Sequence, residues 1–225
     1  MLYKLTDQDG FTRKGKQNEC LWGPGVKHTS KGPHDKRIDL CTNSYIHCYE
    51  NPLVAVFMNS QHENLNNPIL WEAKGFVSKR NGQLKAGCFS LTTIKKIELP
   101  VLTANQRIRA AIYIALEYYK EPKFKKWAEN WLNNKDRSEN AAANAAANAT
   151  DAANAAYSAN AAYAANAAIN AANAAAYAAA DAAYSTARAA NAAAYAAVYA
   201  ADSTVHLQFN LIKILRRVVK EEVSQ

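Results

Sequence analysis

Apolar and polar positions follow three different rhythms along the chain, and each predicts a different kind of element. Over the first hundred residues the rhythm is short. Leu2-Tyr-Lys-Leu-Thr6 has strand composition and runs into Asp9-Gly10, a turn signal that predicts a hairpin. Residues 12–37 are polar and basic, and Trp22-Gly-Pro-Gly25 and Lys31-Gly-Pro-His34 break them into turns, so this stretch reads as a long surface loop. Residues 38–49 alternate in part and are rich in strand formers. Asn51-Pro52 then offers an N-cap followed by Pro at the first helical position, which predicts a short helix over 52–61 with Val54, Phe57 and Met58 inward. Three further strands are expected at 69–77, 84–91 and 93–99, the first two joined by Asn81-Gly82, and Pro100 closes the sheet.

Beyond Pro100 the period lengthens to that of a helix. Thr103-Ala-Asn-Gln106 has the form of a capping box, and Ile108, Ala111, Ile112, Ala115 and Tyr119 recur on one stripe of a helix expected over 103–120. Pro122 starts a second helix with Phe124, Trp127 and Trp131 near one face and Lys123, Lys125 and Lys126 near the other. Residues 133–139 mark a boundary, with Ser138 as the next N-cap. At the far end Leu211, Ile212, Leu215, Val218 and Val219 form an amphipathic stripe, with Lys213, Arg216, Arg217 and Lys220 mostly outside it. Such a helix docks on a core or on a second subunit; binding to a membrane surface is a minor alternative.

Between these helices the pattern nearly vanishes. From Asn140 to Ala201, 38 of 62 residues are Ala, with nine Asn, six Tyr and only three charges. Ala is the best helix former and neither Gly nor Pro interrupts it, so the tract is expected to be helical, about 93 Å long if continuous at about 1.5 Å per residue. A seven-residue series of Tyr163, Asn170, Tyr177, Tyr184, Asn191 and Val198 faces small positions at the opposing half-heptads. A solvated helix normally carries ion pairs, and this one has almost none, so the tract is expected to bury itself in a hairpin or between chains of a homo-oligomer. Repeat expansion by slippage accounts equally well for its origin. Its threonines keep no regular step, which speaks against an ice-binding helix.

The fold class expected is therefore α+β: a basic, mainly antiparallel domain at 1–100, a helical pair at 101–137, the alanine-rich tract at 138–204 as one long helix or a helical hairpin, and a closing amphipathic helix at 205–225. Charge sharpens the division. Residues 1–137 carry 22 Lys/Arg against 13 Asp/Glu, a net of +9, while the remainder has a net of −1. No run is apolar enough for a membrane span, and the first residues do not read as a signal peptide, so a cytoplasmic protein is expected. Four cysteines without a C-x-x-C pair are expected to be thiols. Zinc at Cys41, His47 and Cys48 matches no established spacing, so no metal or other cofactor is assigned.

Candidate chemistry gathers in the basic domain. Trp22, Lys27, His28 and Arg37 place cations among aromatic rings, a combination that suits phosphates and flat bases, although an ordinary solvated loop has the same composition. Strand alternation puts Tyr45, His47 and Tyr49 on one side, which is either a ligand wall or a half-buried core edge. Glu72 is the lone acid in a strand-like segment, a general base or ribose-hydroxyl acceptor if buried and a wet-face residue otherwise. Phosphate-loop, dinucleotide, zincin and nucleophile-elbow motifs are absent from the sequence, which weighs against an enzyme.

Residues 20–99 resemble a group of uncharacterised phage and prophage proteins. The resemblance rests on Trp22-Gly with His28, Leu40-Cys41 with Ile46-His-Cys-Tyr49, Pro52-Leu with Ala55, Leu70-Trp-Glu-Ala-Lys-Gly75, and Gly87-Cys88 with Leu91-Thr-Thr-Ile94. It covers roughly the first 135 residues, and some members carry an alanine-rich tail. What it implies is an anti-defence protein of the host-cell cytoplasm that sequesters a nucleotide immune signal without catalysis. Two alternatives remain open: a nucleic-acid- or protein-binding inhibitor that uses the +9 surface, and a nucleotide-processing or ADP-ribosyl-transferring enzyme built on His47, Tyr49 and Glu72.

Overall fold

The strand formers of the first hundred residues do pair, but not with the neighbours that their turn signals predict. The computed structural model describes residues 1–158 and 210–223, together with Ala174, Tyr177, Ala179 and Tyr195. Two units divide the chain, Met1–Val101 and Leu102–Gln225. In the first, the order is β1 (Leu2–Thr6), β2 (Phe11–Thr12), β3 (Cys20–Leu21), β4 (Lys27–Thr29), β5 (Ile46–Cys48), α1 (Pro52–His62), β6 (Ile69–Asn81) and β7 (Lys85–Ile97). All the pairings are antiparallel, and with the helices that follow they make an α+β fold.

The turn at Asp7–Gly10 forms, with Asp7 Oδ1 accepting from the Phe11 and Asp9 amides, yet β1 pairs with β6 rather than with β2. The expected surface loop at 12–37 instead contains β2's partner β3 and the sheet strand β4, and its Trp22 is 3% exposed. A ring of that size cannot be left in a solvated loop when a core can take it. Only Ile46–Cys48 of the 38–49 stretch is strand. The strands expected at 84–91 and 93–99 are one strand, β7, because Thr92-Thr93 continues the extended backbone with no breaker. The Asn-Gly signal gives a hairpin whose loop spans Gly82 to Leu84, since Asn81 still pairs with Lys85.

Register shifts in β6 after Glu72, Gly75 and Val77 mark bulges that bend the β6–β7 ribbon. The bending carries the sheet round until Tyr49, just after β5, exchanges both backbone hydrogen bonds with Tyr3 of β1 at 2.8 Å. The path β1-β6-β7-β5 thus closes on β1 as a small barrel. Its interior holds Leu2, Trp22, Cys48, Ala73, Ala86, Cys88 and Leu91. Two close approaches need glycine here. A methyl at Gly87 would strike Leu40 Cδ1 and the Tyr45 ring, and one at Gly75 would lie 2.7 Å from the Ser90 carbonyl oxygen. Cys48 and Cys88 meet as thiols with their sulfurs 3.7 Å apart. The α1 helix starts at the Asn51 cap and packs against β1, with Val54, Phe57 and Met58 buried.

The second unit is helical: α2 (Ala104–Tyr118), α3 (Pro122–Leu132), α4 (Glu139–Ser158) and α5 (Leu211–Val223). The capping box forms, with Thr103 N–H donating to Gln106 Oε1 at 2.9 Å and Gln106 N–H to Thr103 Oγ1 at 3.1 Å. Burial on α2 extends beyond the expected stripe to Ala110 and Ile114. On α3, Phe124, Trp127 and Trp131 are inward, and α4 packs against that helix with Ala142, Ala145 and Ala146 buried. Ser138 caps α4. The expectations for the alanine-rich tract beyond Ser158, its self-packing and most of its tyrosine series, fall outside the described residues, as do those for 205–209; Tyr177 and Tyr195 are helical and exposed. α5 buries Leu211, Ile214, Leu215 and Val218 against α2. Arg217 is not simply outside the stripe: its guanidinium stacks 3.9 Å from the Tyr113 ring centroid and pairs with Glu221.

Candidate functional site

Strand alternation explains why the first unit has a polar cavity. Leu2, Lys4 and Thr6 share one face of β1, and Leu2 belongs to the barrel interior, so Lys4 is turned inward at a position where an apolar residue would be expected. Its side chain is 6% exposed. Among the described residues its ammonium has no hydrogen-bond acceptor; its partners are Glu63 Oε1 at 3.9 Å and the face of Trp22 at 5.8 Å. The stem is buried while the ammonium keeps its opening to the cavity, so its charge is available to a group bound there.

Lys4 lines a cavity of about 130 Å³, walled also by Trp22, His28, Ser30, Tyr45, Ile46, His47 and Glu63, with Arg13, Glu19, Cys20, Lys31 and Asn43 around it. That is room for several waters or one phosphate- or ring-sized group, and it is below the usual size of sites for drug-sized ligands. Ser30 Oγ is buried in this wall with no hydrogen-bond partner. The histidines are held by the backbone: His28 Nε2 donates to the Leu21 carbonyl at 2.8 Å and His47 Nε2 to the Leu40 carbonyl at 2.6 Å. A carbonyl oxygen only accepts, so Nε2 carries the proton and Nδ1 keeps its lone pair whenever the ring is neutral. His47 is neutral over most of the pH range. Burial pushes its pKa down to about 4, helped by Lys85 and Lys4, against the opposing pull of the Leu40 carbonyl and Glu63. Trp22 stands edge-on to His28, with ring centroids 4.5 Å apart, and donates its indole N–H to Thr12 Oγ1.

Four of the eight residues singled out from the sequence therefore meet at one place: Trp22, His28, Tyr45 and His47. The other four do not. Lys27 lies on the opposite, outer face of the sheet. Arg37 is engaged with Asp35 through three hydrogen bonds and its side chain is 90% exposed. The Tyr49 hydroxyl is shared with His62 Nδ1 at 3.1 Å, and burial raises the Tyr49 pKa while lowering that of His62 to about 3. Glu72 pairs across strands with Lys95 at 3.5 Å. The Tyr-His-Tyr face is thus divided, with each ring committed to a different backbone or side-chain partner. Lys4, Ser30 and Glu63 were not anticipated; only a lysine in step with Leu2 inside a strand-like run gave a signal for the first.

Among the described residues, no nucleophile in the wall is activated by a base. Cys20 leans on the Asn18 carbonyl, Tyr45 donates to the Asp35 carbonyl, Ser30 Oγ is alone, and both histidines spend Nε2 on carbonyls. Among the described residues there is no group of three His, Cys, Asp or Glu side chains placed to hold a metal ion, and no helix is long and apolar enough to cross a membrane. Cys41 is in contact with the Lys85 ammonium. Comparison with protein-family models, with curated proteins and with solved structures found no match for the chain.

Proposed function

We propose that the chain is a binding protein rather than an enzyme, and that its barrel cavity takes the phosphate of a small phosphorylated ligand of nucleotide type. The single observation that carries this reading is Lys4: its side chain, 6% exposed, lines the cavity with no hydrogen-bond acceptor among the described residues, and the Ser30 hydroxyl of the same lining is also unpartnered there. A phosphate oxygen would give both groups the hydrogen bonds they lack, and charge-assisted bonds of this kind are the stronger class. Within the pocket, Trp22, His28 and Tyr45 form its aromatic wall. Held neutral, His47 offers a lone pair and leaves the positive charge to Lys4.

Sequestration in the cytoplasm of an infected cell, the role implied by the resemblance to phage proteins, is compatible with a site that has no activated nucleophile. In this reading the alanine-rich tract gathers several copies, and so several sites, into one particle. Calorimetric titration with inorganic phosphate, mononucleotides and cyclic dinucleotides tests the site. Saturable binding by a member of this panel is expected, and Lys4→Gln is expected to weaken it about tenfold to a hundredfold. No saturable heat across the panel, from protein shown to be folded, overturns the reading.

A further inference from the structure

The outer face of the same sheet has a chemistry of its own. Along β6, alternation sends Ala73 and Val77 inward and Lys74 and Phe76 outward, and the Phe76 ring is left 74% exposed. Register then aligns its neighbours. Lys27 of β4 pairs with Thr92 of β7, which pairs with Lys74 of β6, so a hydroxyl and two ammonium groups stand abreast on three adjacent strands, with Ser90 of β7 beside them. A shallow groove of about 380 Å³ follows these residues between Phe76 and Phe89. Lys36 reaches over from its loop, with its ammonium 5.8 Å from the Phe76 ring centroid, and Phe89 is itself stacked against His34 at 4.7 Å.

A single exposed apolar ring is ordinary on a protein surface. What sets this one apart is its company. No acidic residue lines the groove, and among the described residues Lys27, Lys36 and Lys74 are in no salt bridge. Elsewhere on the unit, Lys14, Arg37, Lys79, Arg80 and Lys95 are each matched by a carboxylate, while Arg13, Lys16, Lys31, Lys85 and Lys96 are in no salt bridge among the described residues, so it is the exposed ring among free cations that distinguishes the groove. Free cations flanking a flat ring on a sheet are what single-stranded nucleic acid requires, because its unpaired bases have π-faces to stack and its phosphates recur along the strand. A duplex keeps its bases stacked on each other and has no use for the ring, and an acidic peptide needs only the charges.

We propose that this outer face binds single-stranded nucleic acid, with a base stacked on Phe76 and the flanking phosphates met by Lys27, Lys36 and Lys74. The site is distinct from the cavity and does not depend on it. Fluorescence anisotropy with labelled oligo-U and oligo-dT of about ten nucleotides tests it, the length being typical of one such platform. Binding to one or both oligomers is expected, and Phe76→Ala weakens it about tenfold or more while Phe76→Tyr retains it. Because the ring is mostly in solvent, the Phe76→Ala protein should melt like the wild type. Replacing Lys27 and Lys74 together by Ala lowers the slope of log affinity against log salt by about 1.4, at about 0.7 for each phosphate left without its lysine. The proposal is overturned if neither oligomer binds or Phe76→Ala binds as the wild type does. It fails equally if a duplex or poly-glutamate of matched length competes as strongly as the single strand.

Discussion

Replacing Lys4 by Met and Glu63 by Gln together should leave the protein as stable as before or more so, while abolishing phosphate binding. The charges lie 3.9 Å apart with side-chain exposures of 6% and 19%. At an effective dielectric constant of about 20 their attraction is about 4 kcal/mol. Partial removal of each ion from water opposes this by up to several kcal/mol, and no short hydrogen bond to the ammonium lowers that cost. The interaction with Trp22, at 5.8 Å, contributes about 0.5–2 kcal/mol. These opposing quantities nearly cancel, and a Met of similar length keeps the packing, so the double variant is expected to range from unchanged to about 4 kcal/mol more stable. The single variant Lys4→Met strands the Glu63 carboxylate and should be less stable than the double. Scanning calorimetry measures the order of the three proteins, at roughly 4–8 °C per kcal/mol for a unit of this size. A double variant that melts well below the wild type would make the pair a structural brace and leave no reason to think that Lys4 is kept for a ligand.

Two further expectations concern stability. His47 and His62 have folded pKa values of about 4 and about 3, both below the ordinary value of 6.5, because burial disfavours their charged forms. The unfolded chain therefore binds more protons between those values and 6.5. Stability is complete above about pH 6.5 and falls as the pH drops, by about 1.4 kcal/mol per unit for each histidine. Urea unfolding at a series of pH values measures this, and His62→Gln should remove about half of the slope; a flat profile from pH 7 to 5 would contradict the burial of these rings. In the second unit the Arg109 side chain is 7% exposed and joins Glu221 of α5, at 2.6 Å, to the Leu132 carbonyl at the end of α3. Arg109→Ala should destabilise the unit by about 3 kcal/mol and speed amide exchange in α5 most, whereas unchanged exchange there would mean that the apolar stripe alone holds the helix.

How much of this was legible in the sequence depended on whether the signal was local. The Thr103 capping box, the Asn51-Pro52 helix start and the Ser138 cap involve atoms a few residues apart, and each forms as its residues predict. Strand pairing is not local. Nothing near Leu2–Thr6 states that its partner lies near residue 70, and Asp9-Gly10 signals a turn without fixing which strand follows into the ladder. The basic, glycine-rich character of 12–37 concealed Trp22 because composition was averaged over a stretch in which one residue is core. Site residues obeyed the same distinction. Trp22 and His28, close in sequence, are also close in space, whereas Lys4, Ser30, His47 and Glu63 converge only because the barrel closes.

That closure also sets the opening against a packed core. Four of the seven residues of that core are Ala or Cys, small side chains on β5, β6 and β7 that are fully buried. Trp22 takes much of the space, and it forms the boundary between the packed core and the cavity, together with Cys20 and Ile46. Larger aliphatic residues at Ala73 or Ala86, both fully buried, would overpack this core and destabilise the barrel by about 1–3 kcal/mol. The sequence thus places a lysine without a hydrogen-bond acceptor inside, and outside on the same sheet it leaves Phe76 beside three lysines that no carboxylate matches among the described residues. Both departures from a well-filled, evenly charged small barrel fall where binding is proposed, and sites that break local rules of packing and patterning are where function is to be sought.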